Sequence, residues 1–242
     1  IHDFAITAGH VIFLDLPVVF DLERAMKGKM PYVWSDTYPA RIGVMPRGGT
    51  ADQVRWASVS PCYVFHVANA FEADGKITID VSRYPELWRA KAEAFDAAAQ
   101  LWRWELDLAS MRVTETLVDD RAMEFPTINP ARTGLSNRVI FAASDGQVGS
   151  AGTDFDRILR YDTGTGATVE KAFGERALVS EFAYAAAGAG EDEGWVIGFV
   201  FDRDRAASDF VILDAQTLGE TARIRLPRRV PQGFHGAWVP GV

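Results

Sequence analysis

Apolar residues along the chain recur mostly at the period of strands, in short runs separated by turn-forming clusters. Val11–Leu16, Tyr63–Val67, Lys76–Val81, Arg112–Leu117, Arg138–Ala142 and Trp195–Phe201 are each rich in β-branched or aromatic residues, and Gly, Pro, Asp or Asn bound them. Two stretches read as hairpins. Between Ile158 and Val169 the turn falls at Asp162–Gly166, and between Asp209 and Leu226 it falls at Asp214–Gly219; glycine and aspartate tolerate the positive φ such turns need. With Trp195–Phe201 before it, the second hairpin predicts a three-strand meander. One segment departs from this pattern. From Tyr84 to about Ala99 the chain is rich in Ala, Glu and Lys, and Leu87, Ala94, Phe95, Ala98 and Leu101 share a helical face. Pro85 stands where a helix tolerates it, so a single amphipathic helix is predicted there. No internal repeat and no Pro- or Ser-rich linker divides residues 1–242. The pattern predicts an all-β sandwich, barrel or propeller in one domain, or part of one, and leaves the three architectures open.

Composition narrows the function. The net charge is −8, whereas a duplex nucleic-acid binder needs a cationic face to displace counterions. Cys62 is the only cysteine, which excludes an internal disulfide framework and any CxxC motif. No apolar run reaches the roughly 18 residues that would read as a transmembrane helix, and IHDFAITAGH lacks the basic start of a signal peptide. The expected setting is soluble, reducing and cytoplasmic. Ile1 opens the chain inside patterned sequence, so it reads as the carboxy-terminal part of something longer.

Candidate chemistry is concentrated in few residues. Of the four histidines, His2, His66 and His235 lie beside Phe or Ile in apolar stretches. Each alone reads first as a core histidine satisfied by its neighbours. Their wide separation matches no local metal motif such as HExxH. Only a closed, radial β architecture would gather ligands arriving singly from such distant strands. Glycines flank His235 and would let the backbone approach another group. Glu124 and Glu181 are acids in apolar contexts, where a charge is costly unless paired. Each is either a strand-end acid reaching solvent or a partner for the ring N–H of a metal-bound histidine. The Gly164–Gly166 and Gly188–Gly190 pairs read as turns, 191–193 as a solvated acidic loop, and Arg223, Arg225, Arg228 and Arg229 as an exposed strand face. No nucleophile elbow supports Ser–His–Asp catalysis.

Five segments taken in order resemble the carotenoid cleavage oxygenase family, which includes the retinal pigment epithelium isomerase and bacterial apocarotenoid and lignostilbene dioxygenases. They are His2–Thr7 with Val11–Leu14, Phe65–Glu72, Asp119–Asn129, Ser180–Glu181 and Gly233–Gly236. The resemblance implies a seven-bladed β-propeller, of which this chain would supply the carboxy-terminal blades plus the short helix, the amino-terminal blades being absent. It also implies one non-haem Fe(II) held by four histidines. His2, His66 and His235 correspond to the second, third and fourth, and Glu124 and Glu181 to two of three carboxylates that accept from the ligand rings. The first histidine and first glutamate lie upstream of these motifs in the family. His10 matches no ligand and is placed near a strand start.

The activity so implied is cleavage of an alkene C=C by O2 to two carbonyl products. Phe65, Phe71 and Phe234, close to the ligands in sequence, become candidate contacts for an extended conjugated substrate. A carotenoid or apocarotenoid would require contact with a membrane surface to extract it; a phenolic stilbene would not. A third reading, a non-catalytic β-propeller binding module whose histidines only pack, predicts that His66→Ala leaves metal content unchanged.

Overall fold

A computed structural model describes residues 1–89, 95–148, 154–188, 190–231, 233 and 235–241. In chain order its strands are β1 (Phe4–Ile6), β2 (His10–Asp15), β3 (Val18–Phe20), β4 (Tyr32–Trp34), β5 (Arg41–Pro46), β6 (Arg55–Ser58), β7 (Tyr63–Ala73), β8 (Lys76–Tyr84), β9 (Gln100–Asp107), β10 (Val113–Asp119), β11 (Arg121–Thr127), β12 (Val139–Val148), β13 (Arg157–Asp162), β14 (Ala167–Ala172), β15 (Ala177–Ala186), β16 (Gly194–Asp202), β17 (Ala207–Asp214) and β18 (Glu220–Arg225). They form four four-stranded sheets, β1-β2-β5-β6, β7-β8-β9-β10, β11-β12-β13-β14 and β15-β16-β17-β18. The ribbon β3-β4 interrupts the first. Each sheet is a blade-like meander, as the strand-period pattern predicts.

The chain divides into two compact units. The first holds the first two sheets and the ribbon, together with Gly134–Ser136. Its core joins Ile12, Leu14 and Ile42 to Ile77, Ile79, Trp104 and Leu106. The second unit's core joins Val139, Phe141 and Ile158 to Val179, Phe182, Val196, Val211 and Leu213. Burying each such side chain contributes about 1.5–3 kcal/mol, so these positions fix which face of each strand turns inward. At the edges the sheets are asymmetric. On β18, Arg223, Ile224 and Arg225 are exposed, as are Thr168 and Glu170 on β14 and Thr114 and Thr116 on β10. Polar and charged residues there discourage pairing with another chain. The opposite edge strands, β1, β7, β11 and β15, carry or adjoin the candidate residues His2, His66, Glu124 and Glu181.

Both expected hairpins form, as β13–β14 and β17–β18. A further tight turn joins β7 to β8, where Asp74 and Gly75 both take positive φ, the pairing that a two-residue hairpin loop demands. The amphipathic helix expected over 84–99 is a correction. Its centre, 90–94, lies outside the described residues, but neither described flank is helical, and Tyr84 and Leu101 belong to β8 and β9. Trp88 has φ +55°, which no right-handed helix accommodates. Tyr84, Leu87 and Ala99 instead bury themselves against Tyr63, Phe65, Trp88 and Phe95, so the apolar residues serve an aromatic cluster and not a helical stripe. The α-helix that does form among the described residues, α1 (Leu22–Met26), lies between β3 and β4 and is capped by the Asp21 carboxylate accepting from Arg24 N–H. Five residues are too few to show a 3.6-residue period. No helix among the described residues is long and apolar enough to cross a membrane.

Candidate metal-binding histidines

In the first unit, His66 sits in a distorted part of β7. Opposite β8 the register shifts between Val64 and Val67 and again between Val67 and Asn69, so β7 carries extra residues over this stretch. Such bulges re-aim side chains. Against the stretch lies the dipeptide His2–Asp3, just before β1. His2 Nδ1 stands 2.9 Å from the Phe65 carbonyl oxygen. A carbonyl only accepts, so Nδ1 carries the proton and the neutral ring keeps its lone pair on Nε2. Asp3 Oδ2 accepts from Val67 N–H at 2.9 Å. The two imidazoles meet edge to face, with ring centroids 5.2 Å apart at 86°. Phe65 packs against both, at 5.1 Å from His2 and 6.2 Å from His66.

In the second unit Glu181 occupies a bulge of its own. The pairing of β15 with β16 shifts between Val179 and Phe182. The Ser180 hydroxyl mends the gap, donating to Phe199 O at 3.0 Å and accepting from Phe199 N–H at 3.2 Å. Glu181 Oε2 then accepts from Gly236 N–H at 2.6 Å and faces His235 Nδ1 at 3.4 Å. The neighbouring glycines are not needed for close approach, because a Cβ on Gly233 or Gly236 would meet nothing within 4 Å. His235 also contacts the Phe125 ring, centroids 6.0 Å apart. Phe125 follows Glu124 on β11 with φ +53°, a strained value for a bulky residue. Buried Glu124 accepts from the Phe125 N–H through Oε2 at 2.7 Å.

Each unit thus brings part of the expected set together: His2 with His66 and Phe65 in one, His235 with Glu181 in the other. Among the described residues no three His, Cys, Asp or Glu side chains gather as a ready metal cluster. The donor chemistry nevertheless fits a first-row metal, since imidazole nitrogens suit such ions and His2, with Nδ1 held by the Phe65 carbonyl, presents Nε2 as its ligand atom. Phe71 is not brought to the pair. It lies five residues past His66 on β7, opposite Thr78, roughly 16 Å along the strand. Phe234 lies outside the described residues. His10 begins β2, as expected, and its Nδ1 meets Glu72 Oε2 at 2.7 Å, with Thr7 Oγ1 donating to the same oxygen at 3.1 Å. Burial alone would raise Glu72, but the hydrogen bonds from His10 and Thr7 outweigh it and hold its carboxyl below the usual range. Sequence reasoning did not single out Asp3, Ser180 or Phe125. The available signal was their adjacency to His2, Glu181 and Glu124 inside the quoted motifs.

Four-stranded meanders with single histidines and glutamates on or beside their edge strands define the class, a β-propeller-type protein with histidine donors. Residues 1–240 match the retinal pigment epithelial membrane protein family, and the chain belongs to that family, the family of the carotenoid cleavage oxygenases. A Mycobacterium tuberculosis carotenoid cleavage oxygenase is 32% identical over 289 residues, covering 99% of this chain and 58% of its own length. A Synechocystis apocarotenoid-15,15'-oxygenase is 33% identical, with 99% and 51% covered. An isoeugenol monooxygenase from Pseudomonas nitroreducens is also 33% identical, with 99% and 54% covered. The structure of cobalt-substituted Synechocystis ACO superposes with a TM-score of 0.90 at 28% identity, covering 99% of this chain and 53% of that one. The chain spans about half the length of these relatives.

Proposed function

We propose that this chain is part of a non-haem Fe(II) dioxygenase that cleaves a C=C bond of a carotenoid or apocarotenoid with O2, giving two carbonyl products. The observation that carries the reading is the His2–His66 pair, with the His2 tautomer fixed by the Phe65 carbonyl, in a chain of this family. His2, His66 and His235 are the proposed iron ligands. When bound, iron would supply the activation of O2. The protein's own part is to hold the donors. His2 keeps its Nδ1 proton on Phe65 O, which leaves the lone pair on Nε2; Glu181 orients the His235 ring from the Nδ1 side. Glu124 is proposed as a further orienting carboxylate. Phe65 supplies an apolar wall beside the histidines, suited to a polyene and hostile to water. In the second unit, a groove of about 270 Å³ beside His235 is lined by Ile197, Phe199, Phe201 and Phe210, an apolar lining that a polyene would match.

Membrane contact belongs to this reading. Phe20, Leu22, Met26 and Tyr32 of the β3–α1–β4 excursion are exposed, at 57%, 66%, 81% and 44%, and exposed Lys29 and Lys27, the latter paired with Glu23, lie beside them. Apolar side chains with adjacent cations suit an anionic membrane surface. A second reading has its own support. The relative named isoeugenol monooxygenase favours a small phenolic alkene over a carotenoid, the side on which the stilbene-cleaving alternative falls, and for that no membrane is needed. Parallel assays with an apocarotenal and a phenolic stilbene separate the two. Iron retained after anaerobic Fe(II) loading and desalting tests the metal. Near one iron per chain, lost in His66→Ala, is the expected result; equal retention in both would favour a binding module whose histidines only pack.

A further inference from the structure

We propose that Asp3 is a positioning residue for His66. The inference rests on reading His2 and His66 as ligands and adds the device that sets their spacing. In a regular antiparallel strand, the ladder would fix the peptide groups on either side of His66. Here the register slips on both sides of Val67, so the ladder fixes them less well. The missing constraint comes from one dipeptide that leads into β1 of a neighbouring sheet. His2 donates to the carbonyl one residue before His66, and Asp3 accepts from the N–H one residue after it.

The two grips act as a pair of jaws. They hold the backbone that carries His66 and, because His2 is itself one jaw, they place its ring in the same step. Within this arrangement the two rings stand 5.2 Å apart at 86°. The Asp3 carboxylate is itself held, since its Oδ1 accepts from Phe4 N–H at 2.8 Å. One oxygen therefore fixes the start of β1 and the other fixes β7. Asp3 touches neither metal nor substrate in this account; it acts through His66.

The test compares the chain with Asp3→Ala and Asp3→Asn, without metal first. Asn keeps one acceptor oxygen for Val67 and loses the second. The readouts are amide exchange at Val67 and the ¹⁵N ring resonances of labelled His66. Asp3→Ala is expected to speed Val67 exchange by about tenfold or more and to shift or broaden the His66 signals. Asp3→Asn is expected to recover much of both, and it keeps the test open should the alanine variant fold poorly. Unchanged exchange and ring signals in Asp3→Ala would overturn the proposal. So would an equal rise in exchange at every amide of β7, which would mark a general loosening.

Co(II) titration then addresses the ligand reading separately. Affinity is expected to fall about tenfold in Asp3→Ala, the scale seen for partners that orient metal ligands, and to be lost in His66→Ala. If His66→Ala binds Co(II) as the unaltered chain does, the ligand reading fails. The exchange and ring signals would still decide whether Asp3 positions His66.

Discussion

His66 and Glu181 both sit where an antiparallel ladder has been given one residue too many, yet the two bulges are supported differently. The bulge at Glu181 is mended from within: Ser180, the adjacent residue, returns both hydrogen bonds to Phe199 across the gap. The bulge at His66 is held from outside, by His2 and Asp3, the two residues that lead into β1 of another sheet. A locally mended bulge survives as long as its own hairpin does. One held from outside depends on the packing of two sheets, and so ties the geometry of a candidate ligand to the tertiary structure of its unit.

The difference can be broken or sharpened by experiment. The largest effect is expected at the Glu181 bulge itself. Glu181→Gln keeps the shape but removes the charge facing His235, and should weaken metal retention about 10–100-fold; Co(II) titration measures this, and an unchanged affinity would separate His235 from any metal. Ser180→Ala removes the internal mend and should cost about 1 kcal/mol for each hydrogen bond lost, read by denaturant unfolding. An effect there as small as an exposed surface substitution would show that the bulge does not depend on its hydroxyl.

The outside support has a second clip at its far end, where His10 and Thr7 meet Glu72. Glu72 is held below the usual carboxylate range, so its contribution is complete above the ordinary glutamate pKa and is lost as pH falls through the lower, folded value. Amide protection in the β1–β2 turn should therefore be constant from neutral pH to about pH 5 and decline below about pH 4. A decline that begins near neutrality would implicate another group. The smallest effect concerns Cys62 in the core of the same unit. Burial pushes its thiol up to about 11, so thiolate is scarce at pH 8. Labelling by a disulfide reagent should be at least about tenfold slower in the folded chain than in denaturant.

Much of this molecule was legible from pattern. Strands announced themselves by period, the Asp162–Gly166 and Asp214–Gly219 turns by residue type, and the histidine and glutamate motifs by their order. Other features could not be read in this way. A bulge is a relation between two strands, and nothing in Phe65-His66-Val67 alone says that the partner strand is shorter by a residue. The stretch from Tyr84 to Ala99 misled for a related reason. Its Ala-, Glu- and Lys-rich composition has helical spacing, but Leu87, Phe95 and Ala99 answer to an aromatic cluster gathered from β7 and β8. Tertiary burial overrode local propensity there.

By itself, the sequence determined the class of structure and the inventory of donors, because alternation and turn chemistry are local and motif order is linear. Tertiary structure alone decided which donors meet and how they are aimed. His2 meets His66, and Glu181 meets His235, through contacts between residues far apart in the chain, and for His2 the Phe65 carbonyl chooses which ring nitrogen carries the proton.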